Sequence, residues 1–260
     1  MVDGFNLSTE EIAQISEWMR EAGRLALRSQ QSLTFEIKDD LSPVTNVEYQ
    51  IEDFFRKRIT STYPTHALLT EEAGLRTDMH DTLWALDPVD GTRSYISRLP
   101  IWGISLGILH QSKPVAGFFY MPVVDEMYMG LPSGAYYNGQ LLPKDQPAKY
   151  SSSTSFLAVS SNAHLYFSFD YPQVRSLGSA AAHYCYLARG MAVGMLAKNL
   201  YLWDIAGVLP IMNALGYRLE YLSGRNFDPN DLLTGKGIAE PLLVAHPVNF
   251  DRLKATIHPK

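Results

Sequence analysis

Leu83-Trp84-Ala85-Leu86-Asp87-Pro88-Val89-Asp90-Gly91-Thr92 is the stretch whose reading decides the fold. An apolar run stops at Asp87, where Pro88 fixes its own φ and predicts a turn that Asp90 and Gly91 continue. A strand ending in a tight turn with two carboxylates would set both on one concave rim. Such a rim suits a hard cation, because Mg²⁺ takes oxygen ligands and few dedicated protein ones. The backbone N–H groups of Gly91 and Thr92 would open the next short helix, and amides at a helix N-terminus bind phosphate well. Read without its neighbours, the decapeptide is equally ordinary turn punctuation, as Asp-Pro and Asp-Gly often are.

Two further stretches change that balance. Glu71-Glu72 follows the apolar segment Ala67-Leu68-Leu69, and Trp203-Asp204-Ile205-Ala206-Gly207 lies far downstream. An acidic pair, then Trp-x-x-Asp-Pro-x-Asp-Gly-Thr, then Trp-Asp-x-Ala, in this order, resembles the signature of the inositol monophosphatase superfamily. The resemblance runs from the first helix to about Gly216. It implies a layered α-β-α-β-α sandwich of the α/β (α+β) class, with the active site between an N-terminal subdomain, 1–150, and a C-terminal one, 151–260.

Composition bounds the alternatives. The chain has 260 residues, 46% of them hydrophobic and 19% charged, as in an ordinary globular protein. The 22 Lys and Arg against 27 Asp and Glu leave a net charge of −5 without a basic run, which argues against a nucleic-acid polymer as partner. A lone cysteine, Cys185, excludes an intrachain disulfide and reads as a small buried helix residue. The opening Met1-Val2-Asp3-Gly4-Phe5 lacks a basic region before an apolar stretch, and no window approaches the roughly 18 apolar residues of a membrane span. The expectation is a cytoplasmic protein with no membrane partner.

Along the chain, Ser8 and Glu11 make a capping box for a helix whose apolar stripe is Ile12, Ile15, Trp18, Met19, Ala22, Leu25 and Ala26. Phe35 opens a short strand, and a polar loop to Thr45 precedes a second amphipathic helix with Val47, Ile51, Phe54, Phe55 and Ile59 on one face. Ile101 to Leu109 and Val115 to Tyr120 read as a hairpin around His110, a turn residue rather than a ligand. Two more strands precede the Asn138-Gly139 turn. Residues 146–154, rich in Pro, Ser and Lys, mark the internal boundary. Gly178 and Ser179 lead into a helix, either offering N-terminal amides to a ligand or only a serine cap. Asp204 reads as an N-cap that also aims into the pocket above a sheet. Pro210 should kink the helix that follows, and residues 217–260 read as a closing strand pair and helix.

The remaining assignments come from the resemblance. It implies a phosphomonoesterase in which Glu71, Asp87, Asp90 and Asp204, with the carbonyl of Val89, hold two or three Mg²⁺ ions, Mn²⁺ being an alternative. Phosphate would rest on Gly91 and Thr92, while the Thr92 hydroxyl and Glu71 orient the attacking water and Glu72 braces the site. Glu48 stands where the family often has Asp. It is either a partner of the metal site or, with Thr45, a capping box, and one residue could do both. Lys38 would help neutralise phosphate or simply be solvated. Gly178, Ser179 and Arg93 are substrate-side candidates, with a surface carboxylate as the other partner open to Arg93. Inhibition by Li⁺ and a homodimer are implied as well.

For substrate, a small phosphorylated metabolite is expected. Inositol-specific relatives place a Glu where Ala197 stands here, beside Lys198, and the Arg93 stretch is similar to histidinol-phosphate phosphatases. Sugar phosphates and nucleotide 3′-phosphates stay open. The reading from another class is a non-catalytic metal- or phosphate-binding protein. A dinucleotide enzyme is disfavoured, because no G-x-G-x-x-G follows a strand.

Overall fold

The computed structural model describes residues 5–75, 80–144, 146–151, 153–233 and 235–260. Residues 1–4 of the stretch read for a leader, and residue 152 of the boundary segment, lie outside that set. The first helix, α1 (Thr9–Ser29), opens on the expected reciprocal bonds between Ser8 and Glu11. Strands β1 (Phe35–Ile37) and β2 (Pro43–Thr45) then pair antiparallel, so the segment read as strand plus loop is a hairpin. After α2 (Asn46–Thr62) come β3 (Ala67–Thr70), β4 (Gly74–Leu75), β5 (Thr82–Asp90) and the single-turn α3 (Thr92–Ile96). A meander follows: β6 (Gly103–His110), β7 (Lys113–Met121), β8 (Glu126–Leu131), β9 (Gly134–Tyr137) and β10 (Gln140–Leu141). Next are β11 (Phe156–Val159), β12 (Phe167–Phe169), β13 (Val174–Arg175), α4 (Ala180–Ala188) and β14 (Ala192–Ala197). The chain ends with α5 (Leu202–Ala206), α6 (Leu209–Ala214), β15 (Arg218–Tyr221), β16 (Leu242–Ala245), α7 (Pro247–Lys254) and β17 (Ile257–Pro259).

An eight-stranded sheet has the order β10-β9-β8-β7-β6-β5-β3-β4, and a five-stranded one the order β13-β11-β14-β16-β15. Period-two alternation divides their side chains among three cores. Trp84, Leu86, Ile104, Leu106 and Phe118 face α1 and α2. Ala85, Phe119 and Tyr128 from the large sheet, and Ala158, Met195 and Val244 from the small one, enclose α4, α5 and α6. Leu157, Val193 and Leu243 meet Phe250 and Leu253 of α7. The order helix, sheet, helix, sheet, helix is the five-layer sandwich implied by the motifs.

Pro88 does not end its strand in a turn, as the sequence suggests. Every residue of β5 is buried, and the strand runs on through Asp90 with a bulge. Asp87 lies opposite Ser105 and Asp90 opposite Gly103, so β5 holds one residue more than β6 over that span. Side chains three apart on a regular strand point to opposite faces; one extra residue returns Asp90 to the side of Asp87. A proline fits there because the bulge leaves a residue outside the ladder.

The middle helices lie almost on the sheet backbone. Gly107, Gly117 and Gly130 are cross-strand neighbours in β6, β7 and β8. A Cβ at Gly107 would stand 2.4 Å from Ala206, one at Gly117 2.3 Å from the Gly207 carbonyl oxygen, and one at Gly130 2.3 Å from the Ile211 nitrogen. The expected kink is a break, with Pro210 in the first turn of α6.

Candidate metal and phosphate site

Strands β3 and β5 run parallel with Thr70 beside Leu86, so Glu71 and Asp87 leave the same sheet end side by side. Asp87 accepts the N–H of Val89 at 3.0 Å. Asp90 crosses to the second half of the chain. It accepts the N–H groups of Ala180 (3.0 Å) and Ala181 (2.7 Å) and the hydroxyl of Ser179. The start of α4 is therefore given to Asp90, not left open to a ligand. Gly178 likewise packs its carbonyl against Gly91, where a Cβ would come within 2.8 Å of it. The 177–179 turn is steadied by His183, whose Nε2 accepts the N–H of Leu177 at 2.8 Å. Burial pushes that imidazole down to about 4, keeping it a neutral acceptor. Nothing in the local sequence signals this contact.

Asp204 is not the N-cap of its helix. Tyr201 is, and Asp204 sits in the first turn of α5, accepting the Tyr201 N–H at 2.7 Å. The glycine row sets α5 down over β6 beside the acidic sheet end. Gly91, at φ +100, breaks from β5 into α3, with the Gly91 and Thr92 amides at the helix head.

Glu48 forms the capping box and has an oxygen left over for a second contact. One oxygen takes the Thr45 N–H of the capping box, and the other accepts the Thr92 hydroxyl at 2.7 Å. Among the described residues, Glu48, Glu71 and Glu72 bring carboxylate oxygens within 4.8 Å of one another. Lys38 is not simply solvated: its Nζ is 2.7 Å from Glu72 and 3.5 Å from Glu71. Glu52, one turn along α2 from Glu48, accepts the Glu72 N–H at 2.8 Å. The i, i+4 spacing of Glu48 and Glu52 is the signal that could have found it. Among the described residues Arg93 pairs with no carboxylate; its Nη2 donates to the Leu41 carbonyl at 2.9 Å. Ala197 is buried in β14 against the central core. Cys185 is buried, and His110 sits at its strand end, Nδ1 2.9 Å from the Thr82 hydroxyl.

These carboxylates strain against one another. Burial, then the charge of Asp204, pushes Glu71 up to about 8. Burial raises Asp204 to about 7 against the Tyr201 N–H, and Asp90 adds to the rise. Asp87 stands well above its usual value through burial and the charges of Glu71, Asp90 and Asp204. Glu48 and Asp90 are raised by burial too, opposed by their hydrogen bonds. One lysine does not balance this charge. Buried like charges of this kind call for a cation, and an all-oxygen donor set without sulfur or imidazole selects Mg²⁺, Ca²⁺ or Mn²⁺.

The profile of the inositol monophosphatase family matches residues 8–258. An inositol-1-monophosphatase of Bacillus subtilis is 32% identical over 233 residues, 84% of this chain and 87% of the relative. A fructose-1,6-bisphosphatase/inositol-1-monophosphatase of Aquifex aeolicus is 29% identical, covering 77% of this chain and 80% of its own. Among solved structures, an IMPase/NADP phosphatase complexed with NADP and Ca²⁺ superposes with a TM-score of 0.83 at 21% identity, covering 97% of both chains. The Thermotoga maritima IMPase gives 0.81 at 19% identity, covering 95% of this chain and 96% of that one. The two structures share the fold.

Proposed function

The chain belongs to the inositol monophosphatase family and is a phosphoric monoester hydrolase; we propose that it releases phosphate from a small polyol or sugar phosphate with Mg²⁺. The observation that carries this reading is the bulge in β5, which turns Asp90 to the side of Asp87 beside Glu71, where Asp87 feels the charge of Asp204 as well. Glu71, Asp87, Asp90, Asp204 and the Val89 carbonyl would hold the metal. A carboxylate has about four acceptor positions. Asp90 uses three of them on α4, which leaves one, on Oδ1, for a cation. The chemistry such ions supply is neutralisation of phosphate and a lowered pKa for water.

The protein's own part is orientation and proton handling. The Thr92 hydroxyl gives its hydrogen to Glu48, so its oxygen is free to accept one from the attacking water. Glu48, held by Thr45, takes the proton through that bond, and Glu71 fixes the water's direction. The amides of Gly91 and Thr92 cradle the phosphate oxygens. No side chain forms a covalent intermediate in this scheme.

The names of the Bacillus subtilis and Aquifex aeolicus relatives point to polyol and sugar phosphates. The histidinol-phosphate reading rests on the 90–97 and 100–103 stretches and stays in the test; Arg93 of the first stretch gives its Nη2 to the Leu41 carbonyl. The test is phosphate release from myo-inositol 1-phosphate, fructose 1,6-bisphosphate, histidinol phosphate and adenosine 3′,5′-bisphosphate, with Mg²⁺, with EDTA and with Asp90→Asn. Mg²⁺-dependent release that falls at least about 100-fold in the variant is the expected result. Failure to release phosphate from any of the four, with Mg²⁺ demonstrably bound, would move a binding protein on this scaffold to the front.

A further inference from the structure

We propose that Arg93 is a positioning residue: it holds the 38–42 hairpin against the acidic centre and so sets Lys38 on Glu71 and Glu72. Three observations meet here. The first is that the hairpin's outer strand is paired with β2 but exposed along its length. Phe35, Glu36 and Ile37 are all exposed, and Leu41 at the tip is 73% exposed with φ +65. Its tight turn is closed by bonds of its own: Lys38 N–H to Ser42 carbonyl (2.8 Å), Leu41 N–H to Lys38 carbonyl (2.9 Å) and Ser42 N–H to Asp40 (2.9 Å). The hairpin's buried anchor is β2, where Val44 is 3% exposed, and the tip beyond it lies outside the core and opens at low cost.

The second is the identity of the tie. Arg93 stands next to Thr92, which Glu48 pins, so the guanidinium projects from a fixed point. Its Nη2 reaches the Leu41 carbonyl at 2.9 Å across a separation of 52 residues. A planar guanidinium on a long stem suits this reach, which a shorter or uncharged side chain does not replace.

The third is what the loop carries. Lys38 is the cation seen on the carboxylate pair, 2.7 Å from Glu72 and 3.5 Å from Glu71. With the tip held, that ammonium stays where the Glu71 oxygens and an incoming phosphate both feel it. With the tip free, Lys38 leaves with the loop. Arg93 thus acts on the site through Lys38, without touching substrate.

The catalytic arm of the test rests on the phosphomonoesterase reading, and the exchange arm does not. Full-length protein, Arg93→Met, Lys38→Met and the double variant are compared by amide hydrogen exchange of the 38–42 segment without metal, and by kcat/KM with Mg²⁺. Arg93→Met is expected to speed exchange at Lys38 and Leu41 about tenfold, with core strands unchanged. It is expected to lower kcat/KM about three- to tenfold, the size of one lost hydrogen bond, and to have no further effect once Lys38 is Met. Unchanged exchange in Arg93→Met overturns the proposal. So does a loss in the Lys38→Met background as large as in the native one, because Arg93 would then act directly. A parent protein inactive on every ester would sink the reading of function, and exchange alone would still decide the tie.

Discussion

Glu48 gives one carboxylate oxygen to the Thr45 N–H and the other to the Thr92 hydroxyl, and it is fully buried. The first contact is local and legible, because a Thr followed three residues later by Glu is a capping box at sight. The second spans 44 residues and depends on where β5 and α2 are laid in space, which no local pattern records. The cap occupies one oxygen and leaves the other to Thr92, so the cap does not compete with a second role. Glu48→Gln offers one acceptor and one donor where two acceptors are needed. It should lower kcat at least about 100-fold by removing the proton acceptor, with KM little changed. Metal-free stability should stay level or rise, since a buried charge beside Glu71 and Glu72 is gone. Steady-state kinetics and a thermal melt of the same preparation check both halves. A variant that keeps its kcat would remove Glu48 from the proton path.

Between elements, backbone fit decides where functional side chains arrive. The motif residues and the helical stripes were readable because each is a short-range pattern, as were the capping boxes and the Asn138-Gly139 turn. The bulge was not, for Asp-Pro-x-Asp-Gly is turn chemistry, and only the pairing with β6 shows that the strand continues. Asp204 was read as an N-cap for a related reason: a carboxylate in the first helical turn makes the same kind of backbone bond as one that caps it. The glycines of β6, β7 and β8 sit far apart in sequence, and their common purpose appears only in the assembled sheet. A methyl group at Gly107 would collide with Ala206, two residues beyond Asp204. Gly107→Ala should therefore cost about 1–3 kcal/mol, the usual cost of overpacking. Lifting α5 should also move Asp204 and raise the Mg²⁺ concentration for half-maximal activity. Urea unfolding and a Mg²⁺ titration measure the two effects. An unfolding midpoint equal to the parent's would mean the helix can shift without cost, and the glycine row would lose its role in placing Asp204.

For the whole molecule, folding brings Glu48, Glu71, Glu72, Asp87, Asp90 and Asp204 within reach of one another's charge, with Lys38 on Glu71 and Glu72, which is a liability that a cation relieves. The sign of the resulting pH dependence follows from linkage. Glu71 at about 8 and Asp204 at about 7 bind protons more tightly in the folded chain than in the unfolded one, where carboxylates titrate near 4. Between about pH 4 and pH 8 the unfolded chain has released those protons and the folded chain still holds them, so stability without metal must fall as pH rises through that window. Asp87, Asp90 and Glu48, all raised by burial, push in the same direction. A divalent ion binds the ionised carboxylates of the folded state only, so its stabilisation grows as the competing protons leave. The difference in Tm between Mg²⁺ and EDTA samples should therefore be small at pH 5 and large at pH 8, with the EDTA curve alone sloping downward across the interval. Asp90→Asn should flatten that slope and shrink the Mg²⁺ increment together, because one carboxylate contributes to both. A Mg²⁺ increment that is constant from pH 5 to pH 8 would mean the ion binds elsewhere than on the carboxylates whose protons it has to displace.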